Sequence, residues 1–176
     1  MSKDFKDSET YKNLWIALKG EALAYMKYSL YKKGLTEYSE SFSNIIDEII
    51  HNEKEHWEIW FKQLHEGSIP STIDNVIDAI EGETEEHLVL YPKFSEVAEK
   101  EGYHEISRLF KEISIIEGNH SKQFKEFKKE LEDSDFYVGS DDGYWKCLNC
   151  GHIVKSKEAP IKCPVCEHPQ KYFSRL

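Results

Sequence analysis

Through the first three-quarters of the chain, apolar residues recur at three- and four-residue intervals. That spacing gathers them on one face of an α-helix. A first stretch runs from about Ser8, a suitable N-cap, to Tyr31, with Leu14, Ala17, Leu18, Ala24, Tyr25 and Tyr28 on one face and Gly34 in the turn beyond. A second runs from about Ser39 to Glu66, carries Ile46, Ile49, Ile50, Trp57, Trp60 and Leu64, and ends at Gly67-Ser68-Ile69-Pro70. A third follows a cap at Ser71 or Thr72 and presents Val76, Ala79, Ile80, Leu90, Phe94 and Val97, with a kink expected at Pro92. Gly102 separates it from a fourth, about His104 to Glu132, whose face is Ile106, Phe110, Ile113, Phe124 and Leu131.

Each face is interrupted at its centre by acid. Glu21 interrupts the first, Glu53 the second, Glu83 the third and Glu117 the fourth. His56 lies one turn after Glu53, Glu86 one turn after Glu83, and His120 one turn after Glu117. An unpaired carboxylate in a core-facing stripe costs more than a fold can absorb, unless it is paired, neutralised or bound to a metal. The chain also divides into two related halves: Glu21 with Glu53-x-x-His56, then Glu83/Glu86 with Glu117-x-x-His120. The expectation is a duplicated helix hairpin forming one antiparallel bundle.

Spacing alone is weak evidence, because Glu48-x-x-His51 and Glu101-x-x-His104 have the same interval. Those pairs point off the stripe or straddle Gly102, and are expected on the surface. The pairs at Glu53 and Glu117 differ in facing inward. One Glu from each of two helices and Glu-x-x-His from each of the other two is the donor set of dimetal carboxylate bundles. Glutamates neutralise and bridge two divalent ions, and imidazoles add nitrogen donors suited to iron or manganese. Gly20, Gly82 and Gly118 each adjoin one of these glutamates, which predicts crowding there.

The helical pattern stops at about Asp133. Ser134-Asp135, Gly139-Ser140 and Asp141-Asp142-Gly143 read as linker, and the last 33 residues, 144–176, are turn-rich and hold all four cysteines. Cys147-x-x-Cys150, twelve residues, then Cys163-x-x-Cys166 makes two knuckles around a tetrahedral four-thiolate site. The spacing does not decide between a structural zinc and a single iron; a bundle carrying redox iron, which needs an electron source, favours iron. Tyr144, Trp145, Tyr172 and Phe173 are candidates to shield that centre.

Charge narrows the function classes. A net charge of −10 argues against nucleic acid and anionic membrane surfaces as partners. No apolar run reaches the roughly 18 residues of a spanning helix, and Met1-Ser2-Lys3-Asp4 opens no signal region. The expectation is a cytoplasmic protein. No glycine-rich dinucleotide motif is present, so this chain is not expected to bind NAD(P)H itself.

Taken together, Glu21, Glu53-x-x-His56, Gly82-Glu83-x-x-Glu86, Tyr91-Pro92 and Glu117-x-x-His120 resemble the iron-ligand set of rubrerythrins, and Tyr144 through Pro169 resembles their rubredoxin-like tail. The resemblance covers nearly the whole chain. It departs from free-standing rubredoxins at His152, where an aromatic follows the knuckle glycine, and at Glu167, where glycine is common.

The resemblance implies a mostly α fold: a ferritin-like antiparallel four-helix bundle over 1–133, a linker over 134–143 and a small β-rich rubredoxin-like module over 144–176. It implies two irons held by Glu21, Glu53, His56, Glu83, Glu86, Glu117 and His120. Glu53 and Glu117 would bridge, Glu86 and His56 would alternate on the first iron with Glu21, and Glu83 and His120 would serve the second. One further iron, replaceable by zinc in recombinant protein, would sit on Cys147, Cys150, Cys163 and Cys166. The implied activity is reduction of hydrogen peroxide to water, with Glu86, His56, Tyr28 and Tyr91 as catalytic groups. Tyr25 is a further candidate to hydrogen-bond bound oxygen species. Electrons would come from an NAD(P)H-dependent reductase or a rubredoxin, in a head-to-tail homodimer serving oxidative-stress defence. The alternative is a ferroxidase or iron-storage role using oxygen.

Overall fold

Ser8 starts the first long helix by a local bond: its hydroxyl accepts the Tyr11 N–H at 3.1 Å, satisfying one of the free amides of the first turn. The computed structural model describes residues 3–35, 40–133 and 136–176. The expected helix start at Ser39, the linker residues Ser134-Asp135 and the opening Met1-Ser2 lie outside the described residues. The chain forms two compact units, Met1–Ser71 and Thr72–Leu176.

The first unit is a helical hairpin. A short α1 (Lys3–Lys6) precedes α2 (Glu9–Lys33), which packs on α3 (Glu40–Leu64). The two long helices run antiparallel, as the pairs Lys32–Asp47 near the loop and Glu21–His56 farther along require. Leu18 and Leu64 are buried in this unit. On α3 the expected stripe holds only in part, because Ile49 is exposed; Leu23, Met26 and Leu30, which lie off the expected face of α2, are exposed as well.

In the second unit the third helix is broken into three pieces: α4 (Thr72–Glu85), a π-helical turn (Glu86–Leu90) and α5 (Tyr91–Lys100). All three pack along α6 (His104–Asp133), after a reversal in which Gly102 takes a left-handed φ of +86°. The seam is polar and small. Ser107, Ser114 and Ser121 recur every seven residues on α6 and are buried. Ser107 Oγ bonds Ser95 Oγ at 2.9 Å, Ser114 Oγ donates to the His87 carbonyl at 2.8 Å, and Ser121 Oγ bonds Thr84 Oγ at 2.7 Å. Phe94, Val97 and Ile106, expected on the core face, are instead exposed. Serines let the backbones approach closely while the hydroxyls find partners, so the line of contact runs along them and larger side chains lie to either side.

The tail belongs to the second unit. A three-stranded antiparallel sheet, ordered β2-β1-β3, is built from β1 (Tyr144–Cys147), β2 (Ile153–Lys155) and β3 (Phe173–Arg175). Trp145, Cys147, Ala159, Cys163 and Phe173 form its core, with Tyr172 packed against it and Tyr144 exposed. Arg175 fastens the tail to the end of α6. Its guanidinium pairs with Glu130 at 3.1 Å, donates to the Val138 carbonyl at 2.6 Å and lies over the Trp145 ring. No helix among the described residues is long and apolar enough to cross a membrane.

Candidate metal centres

Two Glu–Glu–His triads and one cysteine cluster offer donor atoms within 4.8 Å of one another. In the first unit, His56 Nδ1 lies 3.7 Å from Glu21 Oε2 and 4.0 Å from Glu53 Oε2. In the second, His120 Nδ1 lies 2.7 Å from Glu117 Oε2 and 3.4 Å from Glu83 Oε2. Each imidazole thus sits between one carboxylate of its own helix and one of the neighbouring helix. The i, i+3 spacing of Glu53/His56 and Glu117/His120 makes this possible, since residues three apart share a helix face.

The carboxylates of each triad act on one another. Glu21 and Glu53 share a hydrogen bond, which lowers the Glu21 carboxyl and raises that of Glu53. Burial, then the neighbouring Glu117, raises Glu83. Glu83 Oε2 is buried and makes no hydrogen bond among the described residues. A buried carboxylate oxygen whose near donor, His120 Nδ1, stands 3.4 Å away is poorly satisfied, and a metal ion would supply what it lacks. Two carboxylates and one imidazole match the charge of one divalent ion per triad.

The cysteines are free thiols, with Sγ–Sγ distances of 3.6 Å for Cys147–Cys166 and 3.7 Å for Cys150–Cys163. A tetrahedral ion with metal–sulfur bonds of about 2.3 Å separates its sulfurs by about 3.8 Å, whereas a disulfide needs about 2.05 Å. The cluster therefore fits a metal. The two knuckles repeat each other. Cys147 N–H donates to the His152 carbonyl and Cys163 N–H to the His168 carbonyl, both at 2.8 Å. The His168 N–H holds Cys166 down to about 6. The His152 N–H also lowers Cys150, but the neighbouring thiols and burial outweigh it and push that group up to about 12.

The rubrerythrin family pattern matches residues 12–128, and the pattern of the rubredoxin-like domain of rubrerythrins matches residues 145–174. The chain belongs to the rubrerythrin family. It is 35% identical to rubrerythrin of Porphyromonas gingivalis over all of this chain and 94% of that protein. It is 35% identical to rubrerythrin-1 of Clostridium acetobutylicum over 99% and 97% of the two chains. A solved structure of partially reduced nigerythrin aligns at 25% identity over 96% of this chain and 87% of that one, with a TM-score of 0.37.

The structure gathers Glu21, Glu53 and His56 in one unit, Glu83, Glu117 and His120 in the other, and the four cysteines in the tail. Glu86 stands outside these clusters, half-buried at the first position of the π turn. Tyr91 lies near the second triad: burial, then the charges of Glu86, Glu117 and Glu83, raises its phenol. Tyr25 lies half-buried on α2, one turn from Glu21. Tyr28 stands seven residues, about 10 Å, from Glu21 along α2, with its ring near Tyr31. Glu48, His51, Glu101 and His104 are exposed, and His104 pairs with Glu99.

The crowding expected at three glycines occurs at one. A Cβ on Gly118 would lie 2.9 Å from the His87 ring, whereas at Gly20 or Gly82 no described atom beyond the helix's own backbone and chain neighbours lies within 4 Å of such an atom. Two contributors were not foreseen. The buried indole N–H of Trp60, which makes no hydrogen bond among the described residues, lies close enough to lower Glu21 as well. The His87 imidazole bonds the Ser114 carbonyl at 2.6 Å. His87 directly follows Glu86 in sequence, the one available hint.

Proposed function

We propose that this protein is a non-haem di-iron peroxidase that reduces hydrogen peroxide to two waters. Residues 1–133 would act as the ferritin-like di-iron domain, 134–143 as linker and 144–176 as an electron-transfer module. The observation that carries this reading is the presence, in one chain, of two Glu–Glu–His triads and a four-thiolate cluster. In the proposed site Glu21, Glu53 and His56 of one triad and Glu83, Glu117 and His120 of the other would hold two irons, with Glu86 as a fifth carboxylate.

Bound iron would supply the two electrons that, with two protons, split the peroxide O–O bond. The chain's own groups handle binding and protons. Glu86, lying outside the triads, is the carboxylate most able to exchange places with His56 and to carry a proton to a peroxide oxygen. Tyr91, whose phenol stays protonated beside three carboxylates, would donate a hydrogen bond at the second triad. Tyr25 and Tyr28 would play that part along α2.

Cys147, Cys150, Cys163 and Cys166 would hold an iron suited to one-electron transfer, with an NAD(P)H-dependent reductase or a rubredoxin as the electron donor. Cys150 is exposed, so one edge of that centre faces solvent. Along α6, Glu130, to which the tail is tied, is thirteen residues or roughly 20 Å beyond Glu117. Such a span favours a head-to-tail homodimer in which each tail serves the other copy's bundle. Four reduced cysteines suit the cytoplasm, where the role would be oxidative-stress defence.

The test compares oxidation of the reduced, iron-loaded protein by hydrogen peroxide and by oxygen. Peroxide should react faster by about a hundredfold, on the order of what one positioned proton donor contributes. Faster reaction with oxygen would return the protein to the ferroxidase reading.

A further inference from the structure

The π turn leaves one backbone carbonyl without a helical donor. Tyr91 N–H bonds the Glu86 carbonyl, five residues back, instead of the His87 carbonyl it would reach in an α-helix. The next residue, Pro92, has no N–H to offer. The carbonyl of His87 is instead satisfied from α6, by the buried Ser114 hydroxyl at 2.8 Å.

The bond is returned. His87 Nδ1 lies 2.6 Å from the Ser114 carbonyl, which can only accept, so this nitrogen carries the proton. The ring rests against Gly118, where any Cβ would lie 2.9 to 3.0 Å from three of its atoms. Gly118 adjoins the triad residue Glu117, and His87 adjoins Glu86.

We propose that His87, Ser114 and Gly118 form a clasp that holds the π turn in register on α6, and that His87 is a positioning residue for the Glu86 carboxylate. The inference rests on the proposal that Glu86 is a metal ligand. A carboxylate that exchanges places at a metal needs a backbone that does not drift, and the clasp fixes that backbone at the very next residue. The Thr84–Ser121 bond secures the turn before it.

The test uses full-length, metal-free protein with Ser114→Ala and His87→Phe, which break the clasp from opposite sides, so that misfolding of one leaves the other. Two readouts are taken: amide exchange over residues 86–91, and anaerobic Co(II) titration. The clasp predicts exchange faster by about tenfold in that segment alone. It also predicts Co(II) affinity weaker by about tenfold, with Ser114→Thr, which keeps the hydroxyl, restoring both. Glu86→Ala should weaken Co(II) binding without speeding exchange, and adding Ser114→Ala to it should weaken binding no further. Unchanged exchange in both clasp variants would overturn the clasp. Faster exchange with unchanged Co(II) affinity would overturn the positioning role. Unchanged affinity in Glu86→Ala would instead remove Glu86 as a ligand, the reading beneath it.

Discussion

Gly151 and Glu167 occupy the same position in the two cysteine knuckles, and both are left-handed, with φ of +77° and +63°. Each donates its N–H to the backbone carbonyl of the first cysteine of its knuckle, at 2.8 Å to Cys147 and 2.9 Å to Cys163. Glycine adopts this backbone freely; a residue with a Cβ pays roughly 1–2 kcal/mol. Glu167→Gly should therefore stabilise the tail by about 0.5 kcal/mol, after the greater chain entropy of glycine is subtracted. The exposed Lys162–Glu167 pair it removes contributes little. Gly151→Ala should cost about 1 kcal/mol or more. Denaturation followed by loss of the thiolate–metal absorption checks both.

Glu83 gives a pH dependence with a definite sign. Its carboxyl is raised in the folded, metal-free protein by burial and by Glu117, so the folded state binds its proton more tightly than the unfolded chain does. Stability is then greatest below the ordinary carboxylate range and falls as pH rises through the folded value. Glu83→Gln removes that loss. Melting at pH 5 and pH 8 should show the variant gaining on the parent only at the higher pH. The gain is on the order of 1 kcal/mol, the scale for one poorly satisfied buried polar group. Metal binding at the second triad should weaken in the same variant.

Glu86→Ala tests the proposed role of Glu86 as an exchangeable ligand. Turnover with peroxide should fall by about a hundredfold, while iron content at saturating metal stays near that of the parent. Metal analysis beside a peroxide assay separates the two, and equal loss of both would make Glu86 a structural ligand only.

The inward glutamates were legible because a charge in an apolar stripe has no cheap explanation, and the cysteine knuckles because their spacing admits few uses. Burial was less legible. Phe94, Val97 and Ile106 carry the helical period yet are exposed, since periodicity identifies a face but not how closely another element covers it. The serine seam was hidden by its own chemistry: Ser107, Ser114 and Ser121 read as polar surface until their partners are known. The π turn was foreshadowed by Pro92 as a kink. Its form depends on Ser114, 27 residues from its partner His87 and on another helix, and no local pattern announces such a bond.

Arg175→Ala should loosen the tail from α6, because it removes the Glu130 pair, the bond to the Val138 carbonyl and the cover over Trp145. A loss of about 1–2 kcal/mol is expected for a charged group with such partners. Proteolysis within residues 136–143 should quicken, while Co(II) binding by the bundle remains that of the parent.

The central claim is that electrons pass from the cysteine iron to the bundle and on to peroxide. The most direct test is the visible spectrum of reduced, iron-loaded protein mixed anaerobically with hydrogen peroxide. The account predicts that intense thiolate-to-iron absorption, bleached on reduction, returns within the turnover time, and that it stays bleached in a Glu53→Ala/Glu117→Ala variant with an intact tail. Absorption that returns equally fast in that variant, or a colourless tail that holds zinc when the protein is made with iron in excess, would contradict it.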